Sequence, residues 1–519
     1  MKQQPPNNKI AHSPERALLK IRTEKNRALI LKTVLLLFLF LLQLTVLSLL
    51  YGWVIHAFTG YIVLSLALSV CSAIAVLSSK RNDASKAVLV FVILVFFLIG
   101  FILYFFLDER IFFRRSKKRF RQVFTVASMP SGERIDLSSC DQRVAEDSRY
   151  LQSVGHFSVY GGRQQYFSSG GLLFDDLLEK LDQARKFIFI EFFIVADGIL
   201  LDRFAQRLIS KAKAGIDIRI IYDDMGSHSV FSAKMKTKLR VAGIKVKPFN
   251  RLLPFFHMGL NLRDHRKMVI IDGDIAYTGG ANLADEYTNE ARLYGYWKDA
   301  GIRTEGSAVN AFTKFFLRQW DFLTGMTSDY DRYYNVFAQT TQAVVIPYCS
   351  GPEYDRPVAK EVYLNIIAKS QERIYIMTPY LILDSSMMNL LINKAQAEID
   401  VRIVLPGIPD KAVVWEATKN YAYELLEKGV KIYFMRNSFV HSKVILSDYC
   451  VVVGSANMDM RSFFQQFECG LYTDDEKVMN EVAADFEKTF AMSDLQALQK
   501  VSFWKRGLQK ILKLVTPLF

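Results

Sequence analysis

The sequence predicts an α/β protein built as two similar lobes of mixed β-sheet flanked by helices, preceded by N-terminal transmembrane helices. Three observations carry this. Long uncharged apolar runs are confined to the first 107 residues, and a series of strand and helix signals occurs twice in the same order from residue 180 onward. A histidine motif recurs at the equivalent point of each series.

With 519 residues the chain is too long for one small domain. Its net charge of +14 and its 51% hydrophobic content fit a nucleic-acid binder or a membrane protein, so location decides. Residues 1–121 hold 18 Lys/Arg and 5 Asp/Glu, which leaves 48 against 47 for residues 122–519. The body is nearly neutral. A duplex binder needs its basic residues on the folded binding domain, so no nucleic acid partner is expected. Hydrophobic content near one half excludes disorder as the main state. The five cysteines (Cys71, Cys140, Cys349, Cys450 and Cys469) form no CxxC pair, so neither a disulfide framework nor a zinc site is expected.

Reading along the chain, residues 1–32 form a basic tail. The apolar runs at about 33–55, 59–78 and 87–107 each approach the length needed to cross a hydrocarbon core about 30 Å thick. No small-residue cleavage site interrupts the first run, which argues against a signal peptide. Basic residues flank all three polar borders, and these cannot all be cytoplasmic if every run spans; one run is then interfacial or re-entrant. The densest cluster, Arg110 to Arg121, marks 108–150 as a juxtamembrane linker. It places a multi-pass protein in the cell membrane with its folded body on the cytoplasmic face.

The body divides into lobes at 151–335 and 336–500. The segments 186–194, 215–224, 239–246 and 265–282 are answered in order by 373–381, 398–407, 425–432 and 441–457. Helical stretches such as 172–184 and 203–214 alternate with these strands, which is the βαβ pattern. The first lobe has about ten extra residues between Val246 and His265, rich in Phe, Leu and Met, read equally as core or as an approach for a lipid chain. Residues 501–519 read as a basic amphipathic segment at a bilayer surface or packed on the second lobe.

Two of the seven histidines open an H-x-K-x4-D pattern: His265, Lys267 and Asp272, then His441, Lys443 and Asp448. For a random histidine this pattern arises roughly once in a few hundred cases, so two hits at equivalent repeat positions are specific. The other five histidines are read as structural. On an extended strand residues i and i+2 share a face, so each histidine projects with its lysine. The aspartates lie at odd spacing where the strand reaches a turn, and are expected to brace the hairpin. The return strands end in Gly280 and Ser455, then Asn282 and Asn457. Small residues there let a phosphate approach the backbone, and the amides can donate to its oxygens.

At this point the sequence resembles the phospholipase D superfamily, and within it the bacterial cardiolipin synthases with two HKD motifs. The resemblance covers roughly residues 155–519. It includes NLRDHRKMVIIDG at 261–273, TGGANLADEY at 278–287, YWKD at 296–299, TPYLILD at 378–384, GSANMDMRSFF at 454–464 and FECG at 467–470. It implies that one histidine attacks phosphorus while the other protonates the leaving alcohol and then deprotonates the acceptor. The family's order assigns the attack to His265, with His441 a rival by near two-fold symmetry. The lysines and Asn282 and Asn457 would stabilise charge on the phosphate oxygens, and Asp299 and Glu468 occupy the positions that orient the rings. No metal and no cofactor is expected. The implied reaction converts two phosphatidylglycerol molecules into cardiolipin and glycerol, with phosphatidylglycerol and anionic membrane lipids as partners. Competing readings are a phospholipase D-type hydrolase and a non-catalytic lipid-binding adaptor. The chain departs from the family in the run at 33–55, in Gln466 before the Phe-Glu pair, and in Leu383 after the TPY strand.

Overall fold

The structure is a computed structural model that describes residues 34, 37–49, 59–78, 86–96, 135–251, 262–337 and 343–497. It forms two compact units, Met1–Ala67 and Leu68–Phe519. Residues 37–49, Thr59–Leu77 and 86–96 are helical. Among the described residues, no helix is long and apolar enough to cross a membrane, so the three expected spans are not shown. The described parts of the first and third runs would reach only about 20 and 17 Å at 1.5 Å per residue. The rest of those runs, the tail 1–32, most of the linker 108–150 and the C-terminal segment 501–519 lie outside the described residues.

The body holds the two expected lobes. The first contains β1 (Arg163–Phe167), β2 (Phe187–Phe192), β3 (Asp217–Asp223), β4 (Lys245–Phe249), β5 (Met268–Ile271), β6 (Ile275–Gly279), β7 (Tyr296–Lys298) and β8 (Gly301–Glu305). The second contains β9 (Val345–Ser350), β10 (Arg373–Met377), β11 (Leu381–Ile382), β12 (Asp400–Pro406), β13 (Lys431–Met435), β14 (Ser438–Val440), β15 (Val444–Ser447), β16 (Val451–Gly454), β17 (Met458–Asp459), β18 (Glu468–Thr473) and β19 (Ser493–Leu495).

The two main sheets run β1-β8-β6-β5-β2-β3-β4 and β9-β18-β16-β15-β10-β12-β13-β19. Strand for strand they match, and each repeated sequence segment occupies the same place in its sheet. In both, three parallel strands join an antiparallel hairpin: β2, β3 and β4 with β5 and β6, then β10, β12 and β13 with β15 and β16. Every residue of β2 is buried, as expected of a strand covered on both faces. One core cluster takes in Phe189 and Ile270 of the first sheet together with Ile376 and Val452 of the second, so the lobes share packing rather than merely touching. The sheets differ at one edge. β19 covers β13, while among the described residues β4 is an outer strand.

Besides the antiparallel bridge from Tyr160 to Val345, two short parallel pairings stitch the lobes. β7 pairs in parallel with β14, and Asp264 bridges in parallel to Phe467. The helix Gln142–Gly155, which the expected boundary at 150 divides, bonds to the second lobe: Asp147 accepts from Lys369 (2.7 Å), Tyr449 (2.8 Å) and Tyr472 (3.2 Å).

Asp272 sits at φ 56° in the hairpin turn and accepts the backbone amides of Arg185, Lys186 and Phe187 at 2.7, 2.6 and 2.9 Å. Asp448 accepts those of Gln371 and Glu372 at 3.0 and 3.3 Å and pairs with Arg143. Each aspartate ties its hairpin to the entry of the neighbouring strand, and neither bonds to an imidazole among the described residues. Asp272→Ala therefore leaves three amides without their acceptor. It is expected to lower stability by about 1–3 kcal/mol, read as a melting temperature several degrees lower in calorimetry; an unchanged melt would contradict this bracing role.

Candidate active site at the junction of the lobes

The sheet architecture delivers both histidines to the seam. His265 leads into β5 and His441 into β15, and the stitches that pair the lobes end at these residues. The amide of His265 donates to the carbonyl of Phe467 (2.9 Å), and that of His441 to the carbonyl of Lys298 (2.7 Å). The next residue along each partner segment is an acid. His265 Nδ1 lies 2.9 and 3.0 Å from the two oxygens of Glu468, and His441 Nδ1 lies 2.7 Å from Asp299 Oδ2. Each lobe thus supplies the imidazole for one pair and the carboxylate for the other. With each carboxylate ionised, its contact at Nδ1 favours the proton there and leaves Nε2 as the lone pair.

The carboxylates are held differently. Glu468 is bonded by the hydroxyls of Ser455 and Ser462. Asp299 Oδ1 accepts the amide of Ala300 (2.8 Å), and the carboxylate lies against Gly280, where an added Cβ would come within 2.1 Å of Oδ1. The expected reason for a small residue at 280 was approach of a phosphate to the backbone; the described contact is with Asp299. Ser462 is a site residue that sequence reasoning missed. Its one signal was the Asp459-x-x-Ser462 spacing, in which Asp459 caps the helix Met460–Phe464 by accepting the Ser462 amide (2.7 Å).

Aromatic rings wall the imidazoles, and these too were missed. Phe193 packs at 5.1 Å from the His265 ring, and Tyr287 and Trp297 at 5.2 and 5.4 Å from that of His441. Asn282 serves this wall. Its Nδ2 donates to Tyr287 Oη (2.6 Å) and its Oδ1 accepts from the Ile194 amide (3.1 Å). Asn457 differs: its Oδ1 is buried with no hydrogen-bond partner among the described residues.

Lys267 and Lys443 complete the cluster. Each Nζ donates to the carbonyl of its own motif histidine, at 2.5 Å for Lys267, and Lys443 Nζ lies 2.8 Å from His441 Nδ1. His265 and His441 are only 7% and 8% exposed, and the lysines 2% and 1%. Such burial disfavours charge. It is the first cause pushing His265 well below the ordinary imidazole value and His441 down to about 4, with the lysine charges adding to both shifts. Burial likewise draws Lys267 down to about 8 and Lys443 to about 7, and pushes Glu468 up to about 8. With neutral imidazoles, two suppressed lysines and little exposure, the site is set to take in an anion, whose charge would restore the protonated forms. Among the described residues, no three His, Cys, Asp or Glu side chains group as a metal site.

Comparison with known proteins agrees with this geometry. Residues 177–312 and 363–490 match the family described as cardiolipin synthase, PLD-like domain. A cardiolipin synthase of Oceanobacillus iheyensis is 31% identical over 472 residues, covering 88% of this chain and 98% of that one. An uncharacterised protein of Streptococcus mutans is 38% identical over 378 residues, covering 72% of this chain and 82% of that one. Among solved structures, phosphatidylserine synthase of Haemophilus influenzae superposes with a TM-score of 0.55 at 13% identity, covering 72% of this chain and all of that one; it shares the fold.

The charges acting on His441 make a test. Asp299 opposes the downward shift of that ring, so Asp299→Asn should move its titration further down. In protein carrying 15N-labelled histidine, both site rings should titrate below pH 6.5 in the wild type and His441 lower still in the variant. An upward move would show that Asp299 does not act on this ring. The sign for stability follows from the same shifts. Both imidazoles bind protons less tightly folded than unfolded, so their contribution is present above about pH 6.5 and is lost as the pH falls below it.

Proposed function

The chain belongs to the cardiolipin synthase family with phospholipase D-like domains, and from this premise we propose that it joins two phosphatidylglycerol molecules into cardiolipin, releasing glycerol, by way of a phosphohistidine. The enzyme is a phosphatidyltransferase. The observation that carries the finer reading is the pair of crossed imidazole–carboxylate contacts at one seam, with no bond to Nε2 of either ring among the described residues.

In this reading His265 Nε2 attacks the phosphorus of the first phosphatidylglycerol. An N–P bond forms, the bond from phosphorus to the glycerol headgroup oxygen breaks, and protonated His441 gives its proton to that oxygen. Neutral His441 then takes the proton from the headgroup hydroxyl of a second phosphatidylglycerol, whose oxygen displaces His265 and forms cardiolipin. No nucleotide is consumed. The chain order of the family's motifs places the attack on His265. A histidine held near 4 by burial can serve as the acid because an anionic phosphodiester beside it favours the imidazolium. Lys267 and Lys443 would stabilise charge on the non-bridging oxygens. Glu468 and Asp299 keep the proton on Nδ1, while Asp272 and Asp448 hold the hairpins. Transfer is favoured over hydrolysis by the low exposure of the rings, which limits water at the phosphorus.

Membrane attachment through the N-terminal region, with the body on the cytoplasmic face, belongs to the same reading. Its support is the uncharged helix Thr59–Leu77, whose Val63 and Ile74 are 61% and 57% exposed, and the basic flanks, which suit anionic headgroups.

Purified protein given labelled phosphatidylglycerol, without CDP-diacylglycerol, should release glycerol and form a tetra-acylated product; phosphatidic acid as the sole product would favour the hydrolase. His265→Ala and His441→Ala should each lower turnover by roughly a thousandfold or more, because each carries an essential step. Glu468→Gln keeps the size but not the charge, and should cost about 10- to 100-fold in kcat with little change in KM; wild-type kcat in this variant would remove Glu468 from the mechanism.

A further inference from the structure

Gln466, one of the departures from the family, stands two residues before Glu468 and is buried. Its backbone amide donates to the carbonyl of Arg461 (3.1 Å), in the short helix Met460–Phe464. Their side chains meet as well. With its nitrogen toward Glu468, the Gln466 amide donates to Oε1 at 3.2 Å, and its oxygen accepts from Arg461 Nε, also at 3.2 Å. Turned the other way, the amide would set its oxygen against a carboxylate and its nitrogen against an N–H. Arg461 therefore decides which end faces Glu468.

The choice has weight because burial pushes Glu468 up to about 8, where it can hold a proton near neutrality. A protonated Glu468 would donate to His265 Nδ1 and leave the ring's own proton on Nε2, where it blocks attack. The hydroxyls of Ser455 and Ser462 suit either form, since a hydroxyl can give or take a hydrogen bond. An amide nitrogen only donates, so it favours the carboxylate. The charged and titratable groups around Glu468 are His265, Lys267 and Lys443 of the motifs, Asp459 and Arg461 at the short helix, and Tyr348 and Tyr363. The lysines favour the anion, and Asp459 opposes it. The other pair has no need of such a device: Asp299 Oδ1 takes the backbone amide of Ala300, which cannot turn round.

We propose that Arg461 and Gln466 are positioning residues, a relay that aims an N–H at Glu468 and so keeps the lone pair of His265 on Nε2, where it can meet phosphorus. The charge of Arg461 also adds to the downward push on His265, which helps to keep that ring neutral. The relay stands on the half to which the attack is assigned, whereas His441 begins by giving up a proton from Nε2. For its purpose the inference rests on the proposed reaction, but its test does not.

The test uses the full chain carrying 15N-labelled histidine, in which the nitrogen signals report which ring nitrogen holds the proton. At neutral pH the wild-type His265 should hold it on Nδ1. Gln466→Met keeps the length of the side chain but removes the donor, and should move His265 toward the Nε2-protonated form while leaving His441 as it was. Arg461→Met, a change at a half-buried position, should do the same by freeing the amide to turn. In both variants kcat should fall about tenfold with little change in KM, and the rise of kcat with pH should move up by about one pH unit, because Glu468 then ionises later. A wild-type proton on Nε2, a His265 ring unchanged in both variants, an unmoved pH profile, or an equal change at both rings, as a loosened seam would give, would each overturn the relay. A wild-type protein that makes no cardiolipin would sink the proposed reaction while leaving the ring signals readable.

Discussion

Each imidazole depends on a carboxylate that the other lobe provides, and the architecture of the seam is built around this exchange. A backbone hydrogen bond fixes the histidine amide to one residue of the opposite lobe, and the following residue presents its acid to Nδ1. Main chain and side chain therefore set the ring together. Neither half can orient its own imidazole, so near-identical sheets become one site only when they are docked, and the shared core is what docks them.

Burial gives this arrangement its chemical character. A charged group taken out of water is disfavoured unless partners replace the hydration, and here four basic side chains crowd one small volume. Lysines and imidazoles consequently yield their protons more readily than in water. Glu468 moves the other way, and two hydroxyls help to keep it serviceable as an anion. The pair at Asp299 uses a backbone amide and the room left by the missing side chain of Gly280 instead. Two copies of one motif have thus settled on different local solutions for holding the same kind of ring.

Much of this was legible in the sequence because it is written in short-range signals. The repeated segments and the alternation of strand and helix report local periodicity, and they correspond to matching positions in the two sheets. The H-x-K spacing puts a histidine and a lysine on one side of a strand. The crossing was not legible: His265 and Glu468 are 203 positions apart and His441 and Asp299 are 142 apart, and nothing local says which histidine meets which acid. Ser462, Phe193 and Tyr287 were missed for the same reason, since each acquires its role only from a neighbour in space. Asn282 shows the converse. Its residue type suggested a phosphate donor, while its two hydrogen bonds engage a tyrosine hydroxyl and a backbone amide.

The helix Gln142–Gly155 precedes the first lobe in the chain yet is mounted on the second, through Asp147 to Lys369, Tyr449 and Tyr472. By these bonds the first lobe is an insertion within the second. During synthesis the helix must wait for partners that lie 222 to 325 residues downstream. At ribosomal speeds that interval is about 10 to 65 seconds, during which Val144 and Leu151 have no core to enter. A chaperone or a nearby bilayer would have this stretch to itself before the rest of its host exists.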